Sequence, residues 1–211
     1  MLPSTIPIFP LPNVVLFPNV FLPLHIFEPR YRAMVADALE GDRIIGMTLL
    51  QPGFEANYEG RPAVYPIGCA GVITHTEPLP DGRYNIVLRG IERFRVEGED
   101  DSRAYRLARV VALPDTASMQ DRVQLAQQRH RLEAVLAATV ERGGAEPKFP
   151  PAIGDEDLVN ALSQYLDLQP VERQALLECD SPLTRCRALI ELLEMRMLAP
   201  RGTGWNGGAV H

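Results

Sequence analysis

The stretch PIFPLPNVVLFPNVFLPLHIFEPRYR (residues 7–32) decides the fold. No Asp, Glu, Lys or Arg occurs from Met1 to Phe27, so a membrane span, a secretion signal and a buried core segment have to be told apart. A spanning helix needs about 20 apolar residues, and a signal begins with basic ones. Six prolines interrupt this run, and each interior proline costs a helix about 3 kcal/mol. The pattern therefore predicts buried β-strands separated by turns, and no membrane contact. The expected strands are 6–9, 14–17 and 21–27.

Composition and charge narrow the classes of function. The chain has 211 residues, of which 46% are apolar and 23% charged, as in ordinary globular domains. Its formal net charge is −6, and Lys148 is the only lysine among 21 basic residues. A nucleic-acid surface needs a basic field, so this balance argues against a nucleic-acid partner. Three cysteines without a CxxC spacing are typical of a reducing cytoplasm and of buried small side chains. We therefore expect a cytoplasmic location.

After the opening strands, the pattern predicts one helix and then further strands. Residues 28–42 carry a helical period, with proline at the first helical position and glycine past the last. Residues 43–52 return to β-branched, extended character. The sequence LPDG (79–82) predicts a tight turn between two strands, because proline presets φ and glycine accepts a positive φ. A last strand is expected within 104–114.

From Ala117 onward the pattern is helical. One helix should end at Gly143-Gly144, and a proline-rich connection follows it. Further helices are expected within 157–168, from Pro170, and from Ser181 as N-cap with proline after it. The last helix carries an apolar stripe that is typical of core packing, although a groove for a partner helix would give the same stripe. The stripe consists of Leu183, Cys186, Ile190, Leu193 and Met197.

Four stretches in this order resemble the N-terminal, substrate-binding domain of Lon proteases and its stand-alone bacterial relatives. Residues 6–32 are similar to the opening of that family, and 66–96 are similar to its second signature, with the Gly-x-x-Arg-Phe step at Gly90, Arg93 and Phe94. RVVALPD resembles the strand that closes the β part, and the last stretch resembles the helical part. RVVALPD is residues 109–115, and the last stretch is residues 158–193. The resemblance covers about residues 5 to 198.

The resemblance implies an α+β fold, with a β-rich, PUA-like pseudo-barrel lobe followed by an α-helical lobe. We expect the first lobe at 1–115, the second at 116–200 and a flexible tail at 201–211. It also implies a role in contacting proteins, because this region of Lon helps to engage substrate polypeptides and in cereblon it helps to join a ligase complex. A stand-alone member without ATPase and protease domains is expected to be a non-catalytic module that binds a polypeptide or a partner protein.

Motifs for other chemistry are absent from the sequence. No G-x-x-x-x-G-K-[ST] loop occurs, and the single lysine lies in EPKFPP without a serine signature, so neither ATP hydrolysis nor Ser-Lys proteolysis is expected. The four histidines, His25, His75, His130 and His211, lack metal-ligand spacing. Acidic runs at 97–101 and 154–157 lack the spacing of a calcium loop. We expect no catalytic residues, cofactor or metal.

Candidate binding residues lie in the loop that follows residue 52. Phe54, Tyr58 and Tyr65 are aromatic side chains in a segment rich in proline and glycine, and exposed aromatic residues are enriched at interface hot spots. The alternative is that these side chains fold back over the barrel mouth. A second hypothesis is an enzyme or sensor for a small molecule that uses the crevice between the two lobes. A third hypothesis is RNA binding, by analogy with PUA folds.

Overall fold

The computed structural model describes residues 2–53, 60–115, 117–141 and 153–198. Strands dominate the first half, and helices make up the second half. The strands are β1 (Thr5–Leu11), β2 (Phe21–Ile26), β3 (Ile44–Leu49), β4 (Ile67–Pro78), β5 (Tyr84–Asp100) and β6 (Arg106–Leu113). The helices are α1 (Pro29–Glu40), α2 (Met119–Glu141), α3 (Asp155–Tyr165), α4 (Pro170–Glu178) and α5 (Pro182–Leu198). This order confirms the α+β class.

The sheet closes on itself through its longest strand. Its strand order is β2-β5-β4-β3-β1-β6, and β6 also pairs with β5. The 17 residues of β5 make this possible, because 84–89 pair with β2 while 93–100 pair with β6. Five strands thus form a ring, and β2 lies outside it on the first half of β5. Among the described strands, β2 has a free edge along its whole length, and residues 73–78 of β4 have no partner strand on the side away from β5.

The opening stretch forms two of its three expected strands. β1 and β2 match the expected strands at 6–9 and 21–27, whereas the expected strand at 14–17 is wrong. That segment is buried but irregular, with prolines at 12 and 18 on either side. Its Phe17 N–H donates to Oε1 of Gln164 in α3, at 3.0 Å. A distant side chain therefore replaces the strand partner. In the described ranges, no helix is both long enough and apolar enough to cross a bilayer.

The local signals for α1 and for the β4–β5 turn are confirmed. α1 begins at Pro29 after an extended Glu28 and ends before Gly41, and it buries Tyr31 and Met34. Gly82 has φ +80° in the turn, where its N–H donates to the Leu79 carbonyl. This conformation is one that glycine adopts without a steric cost.

The apolar stripe of α5 packs inside the chain. Leu183, Cys186, Ile190 and Leu193 are buried, and Met197 lies partly buried against the same core. α5 lies beside α2, where Arg187 donates to Gln124 and Arg131 pairs with Glu194, each at 2.8 Å. The stripe is therefore a core-packing surface and not an open groove.

The Gly-x-x-Arg-Phe step joins three parts of the fold. A Cβ on Gly90 would lie 2.0 Å from the Phe17 carbonyl oxygen, so only glycine allows the opening segment to approach β5 so closely. Phe94 points into the ring, where a small second core surrounds it and where a Cβ on Gly68 would lie 2.7 Å from its ring. Arg93 points out of the ring toward the helices, since successive strand residues alternate in direction.

Arg93 and Arg185 join the sheet to the helices. Arg93, 4% exposed, donates to the carbonyls of Leu177 and Cys179 at the end of α4, at 3.1 and 2.7 Å. Arg93 also pairs with Asp115 at 2.8 Å, and fully buried Arg185 approaches the same carboxylate at 3.5 Å. Burial lowers the pKa of the Arg185 guanidinium, and Asp115 opposes that shift. One apolar core also spans the sheet and the helices, and it extends from Phe9 and Ile26 to Leu177 and Leu189.

Candidate functional site

Aromatic side chains stand exposed on one side of β2. Phe21 is 50% exposed and Phe27, just past the strand, is 60% exposed, while Tyr165 at the end of α3 is 59% exposed. Pro23 and His25 are exposed between the two phenylalanines. Alternate residues of a strand point to one side, which explains why this set repeats every second residue. We call this surface the β2 face, defined by Phe21, Pro23, His25, Phe27, Tyr165 and Val87 of β5.

The neighbouring strands continue this surface in register. Phe21 lies opposite Arg89, Pro23 opposite Val87 and His25 opposite Asn85. On β4, His75 lies next to Val87 and Glu77 lies next to Asn85. Directly opposed residues of an antiparallel pair point to the same side. The middle row of the β2 face is therefore apolar at Pro23 and Val87 and ends at His75 on β4, while the charged neighbours Arg89 and Glu77 lie at the two ends.

The free edge of β2 is poorly suited to pairing with another strand. Pro23 has no N–H to donate, and proline in a sheet is confined to such edges. The Phe21 carbonyl is already engaged, since it accepts from Gln164 Nε2 at 3.0 Å and from the Tyr165 hydroxyl at 2.8 Å. A ligand on this part of the molecule would therefore contact the side chains of the face more readily than the strand edge.

A chain of polar contacts fixes the end of the face at His25. Arg83 Nη1 lies 3.1 Å from His25 Nε2, and Nδ1 lies 2.7 Å from Asn85 Oδ1. Arginine only donates, so Nε2 accepts and Nδ1 carries the proton. Asn85 in turn donates to Glu77 at 2.7 Å. The ring of His25 stacks against Phe27, with centroids 6.2 Å apart, so the exposed Phe27 ring has an ordered neighbour.

A pocket of about 350 Å³ lies between α2, the start of α3 and Asn19 of the segment that precedes β2. Its walls are Asn19, Arg122, Leu125 and residues 154–157. Ligand pockets are usually lined mainly by apolar side chains, yet Leu125 is the one large apolar residue here. Asp155 is already paired with Arg129, and Asp157 accepts from Asn19. This lining gives no support to a small-molecule enzyme or sensor.

Of the three sequence-predicted binding residues, the structure describes Tyr65. Phe54 and Tyr58 lie outside the described residues. Tyr65 packs partly buried against the main core, and its N–H donates to the Leu49 carbonyl at 2.9 Å. Its position agrees with the alternative that it folds back onto the barrel. Binding at this loop stays a prediction.

Sequence reasoning missed the aromatic residues of the β2 face. The stretch from Phe21 to Phe27 is apolar almost throughout, so the period of two that marks an exposed face is invisible in it. Tyr165 lies in an apolar helix pattern and carries no separate signal. The prolines at positions 18 and 23 were the available signal, because proline marks an edge strand.

Reactive groups on the described part of the chain are few. Among the described residues, no three His, Cys, Asp or Glu side chains are grouped as a metal site. Burial raises the pKa of Cys69 to about 12 and that of Cys186 to about 11. Burial also raises the pKa of Cys179, which is partly exposed. A nucleophilic thiol needs a lowered pKa, so these three have the opposite character.

Comparison with known proteins identifies the family. The family model for the substrate-binding domain of ATP-dependent protease La (LON) matches residues 5–195. The chain therefore belongs to the Lon substrate-binding domain family.

Individual relatives agree with this assignment. The chain is 26% identical to a Lon protease of Cytophaga hutchinsonii, over 91% of its own length and 24% of that protein. It is 27% identical to Lon protease 2 of Myxococcus xanthus, over 92% and 24% respectively. The chain thus spans about a quarter of the length of these curated relatives.

Two solved structures have the same fold. One is the N-terminal domain of a Mycobacterium avium complex Lon protease, with a TM-score of 0.66, 16% identity and coverage of 90% of this chain and 98% of that chain. The other is a Lon N-terminal domain protein from Xanthomonas campestris, with a TM-score of 0.58, 22% identity and coverage of 93% and 99%.

Proposed function

We propose that this chain is a non-catalytic recognition module that binds unfolded or extended polypeptide on the β2 face. The observation that carries the proposal is the position of Phe21 on β2 and of Phe27 just past it, with both side chains half or more exposed. Apolar side chains that the core does not use typically mark an interaction surface when they lie together. Membership of a family named for substrate binding supports protein as the ligand.

The geometry of the face suits side-chain recognition of an extended segment. Tyr and Phe supply large contact area at a small cost in conformational entropy. The apolar middle at Pro23 and Val87 can accept apolar side chains of any shape, which fits a module that has to bind many sequences. A patch of this size supports micromolar affinity.

Two further expectations belong to the same proposal. The closed ring of five strands supports the PUA-like pseudo-barrel that the resemblance implies, and superposition on PUA domains tests that identity. The division at residue 115 separates a strand part from a helical part. We take these as two lobes of one recognition unit because they share a core.

A binding assay with a permanently unfolded protein tests the proposal. Fluorescently labelled, reduced and carboxymethylated lactalbumin is titrated with the chain, and anisotropy is recorded. The double variant Phe21→Thr with Phe27→Ser should bind at least tenfold more weakly than the native chain. Circular dichroism and thermal melts of each variant verify folding.

The matched control removes exposed apolar side chains elsewhere. Val111 on β6 and Met119 on α2 are both exposed, and Val111→Thr with Met119→Ser should leave the affinity within twofold. Equal binding by the native chain and both double variants would place any binding outside the β2 face. Loss of binding in a third variant, Tyr65→Ala, with the β2 variants unaffected, would favour the loop after residue 52 instead.

A further inference from the structure

The charges around the β2 face are separated by end. Arg89, opposite Phe21, is exposed, and its side chain makes no hydrogen bond or ion pair with any described residue. Glu77 is exposed at the other end and receives one hydrogen bond, from Asn85. The other charged pair at that end, Arg83 and Asp81, is internally neutralised at 2.6 Å. The Arg89 end of the face therefore carries an unpaired cation. At the other end Glu77 is in no ion pair with a described residue, while the guanidinium of Arg32 lies against Gly82 in the adjoining turn.

The distance between these charges follows from the strand register. Glu77 lies beside Asn85 on β5, and Arg89 lies four residues further along the same strand. At about 3.3 Å per residue, the two charged ends are separated by about 13 Å along the strands. Pro23 and Val87 lie between them and carry no charge. An extended peptide with charges at positions i and i+4 has the same separation.

We propose that the β2 face prefers extended segments in which an acidic and a basic residue flank three apolar residues. The acidic residue lies at Arg89 and the basic one at Glu77, with the apolar side chains over Pro23 and Val87. This inference rests on the proposed function and names its substrate class. Side chains make these contacts. The face therefore selects the spacing of the two charges, and the peptide backbone can run in either N-to-C direction.

Peptides of one composition separate this inference from the function on which it rests. The first peptide carries Asp and Arg four positions apart around Phe-Val-Leu. The second has the same residues with Asp and Arg adjacent. An exposed ion pair changes affinity about two- to fivefold. The second peptide can place only one of its two charges at a time, so the first peptide should bind about two- to fivefold more tightly at low salt. Because salt screens such pairs, most of this difference should disappear at 0.5 M salt.

Charge reversal on the protein gives the decisive variants. Arg89→Glu should abolish the preference for the first peptide and create one for a peptide with Arg at both positions. Adding Glu77→Arg exchanges the charges at the two ends of the face. The double variant should therefore again prefer the first peptide over the second. Arg95→Glu is the matched control, because Arg95 is an exposed arginine on the same strand but outside the face.

Each outcome supports or overturns a definite statement. If the native chain binds both peptides equally, or if the double reversal does not restore the preference, the charge selection is wrong while the binding function stands. If neither peptide binds, the proposed function itself fails. If Arg95→Glu changes the preference as much as Arg89→Glu, the selecting charge does not lie on the β2 face.

Discussion

Arg93 is the side chain that connects the closed sheet to the end of α4. We expect Arg93→Ala to lower the free energy of unfolding by about 3–5 kcal/mol, because Asp115 and the α4 carbonyls would lose a buried donor. Urea denaturation measures this change.

Arg95 provides the control for that substitution. It lies two residues further along β5 but is exposed, so Arg95→Ala should change the free energy of unfolding by no more than about 0.5 kcal/mol. Similar losses for both variants would contradict the role given to Arg93.

The three thiols should differ in reactivity. Burial raises the pKa of Cys69 to about 12 and of Cys186 to about 11, so both remain protonated at pH 8. Only the thiolate attacks a disulfide reagent. We expect such a reagent at pH 8 to label the folded chain at Cys179 alone, and to label all three after unfolding. Equal labelling rates in the folded chain would show that the core around α5 is open.

The raised pKa of Cys186 should also make the folded state less stable at alkaline pH. The ordinary pKa of a thiol is 9.0, and folding raises that of Cys186 to about 11. The protonated thiol therefore stabilises the folded state below pH 9, and this contribution is lost as the pH rises from about 9 to 11. The free energy of unfolding should fall over that interval, and Cys186→Ala should reduce the slope.

At the scale of elements, β2 is an edge strand that proline protects. Pro23→Thr restores an N–H at the free edge and should promote pairing between copies of the chain, since unprotected edges associate. Sedimentation velocity should show more dimer for this variant than for the native chain at equal concentration. Pro114→Thr, at an exposed position just past β6 and outside the strands, is the control. An unchanged distribution for Pro23→Thr would mean that the edge is protected by other means.

Elements with local signals could be predicted from the sequence. The turn at Gly82 and the start of α1 at Pro29 depend on backbone preferences of the residues themselves, so they are readable without the fold. The expected strand at 14–17 was wrong because its backbone is satisfied by Gln164, which is 147 positions away in the sequence. A run of apolar residues shows burial, but it does not show which partner accepts the hydrogen bonds.

The exposed aromatic residues of the β2 face were harder to predict, because their exposure also depends on pairing between distant segments. An aromatic residue in an apolar run is assigned to the core unless the pairing is known, and the exposure of Phe21 depends on β2 lying outside the closed ring. That placement depends on the length of β5, which pairs with β2 and β6 along different halves. The proposed kind of ligand comes from the family resemblance, whereas the proposed binding surface requires the three-dimensional register.

At the scale of the whole molecule, the strand and helical parts should unfold together. They share one apolar core and the buried contacts of Arg93 and Arg185. Calorimetry should give a single transition with a calorimetric to van't Hoff enthalpy ratio near one. Residues 1–115 prepared alone should lack a cooperative transition. Two separate transitions would show that the lobes are independent domains.

Photo-crosslinking tests the central claim most directly. A peptide with Asp and Arg four positions apart, carrying a benzophenone at its central position, is irradiated with the native chain, and the attachment site is mapped by mass spectrometry. The account predicts cross-links on 21–27 and 85–89, and their loss in Phe21→Thr with Phe27→Ser. Cross-links confined to the 54–65 loop, or to the pocket around Arg122, would contradict it.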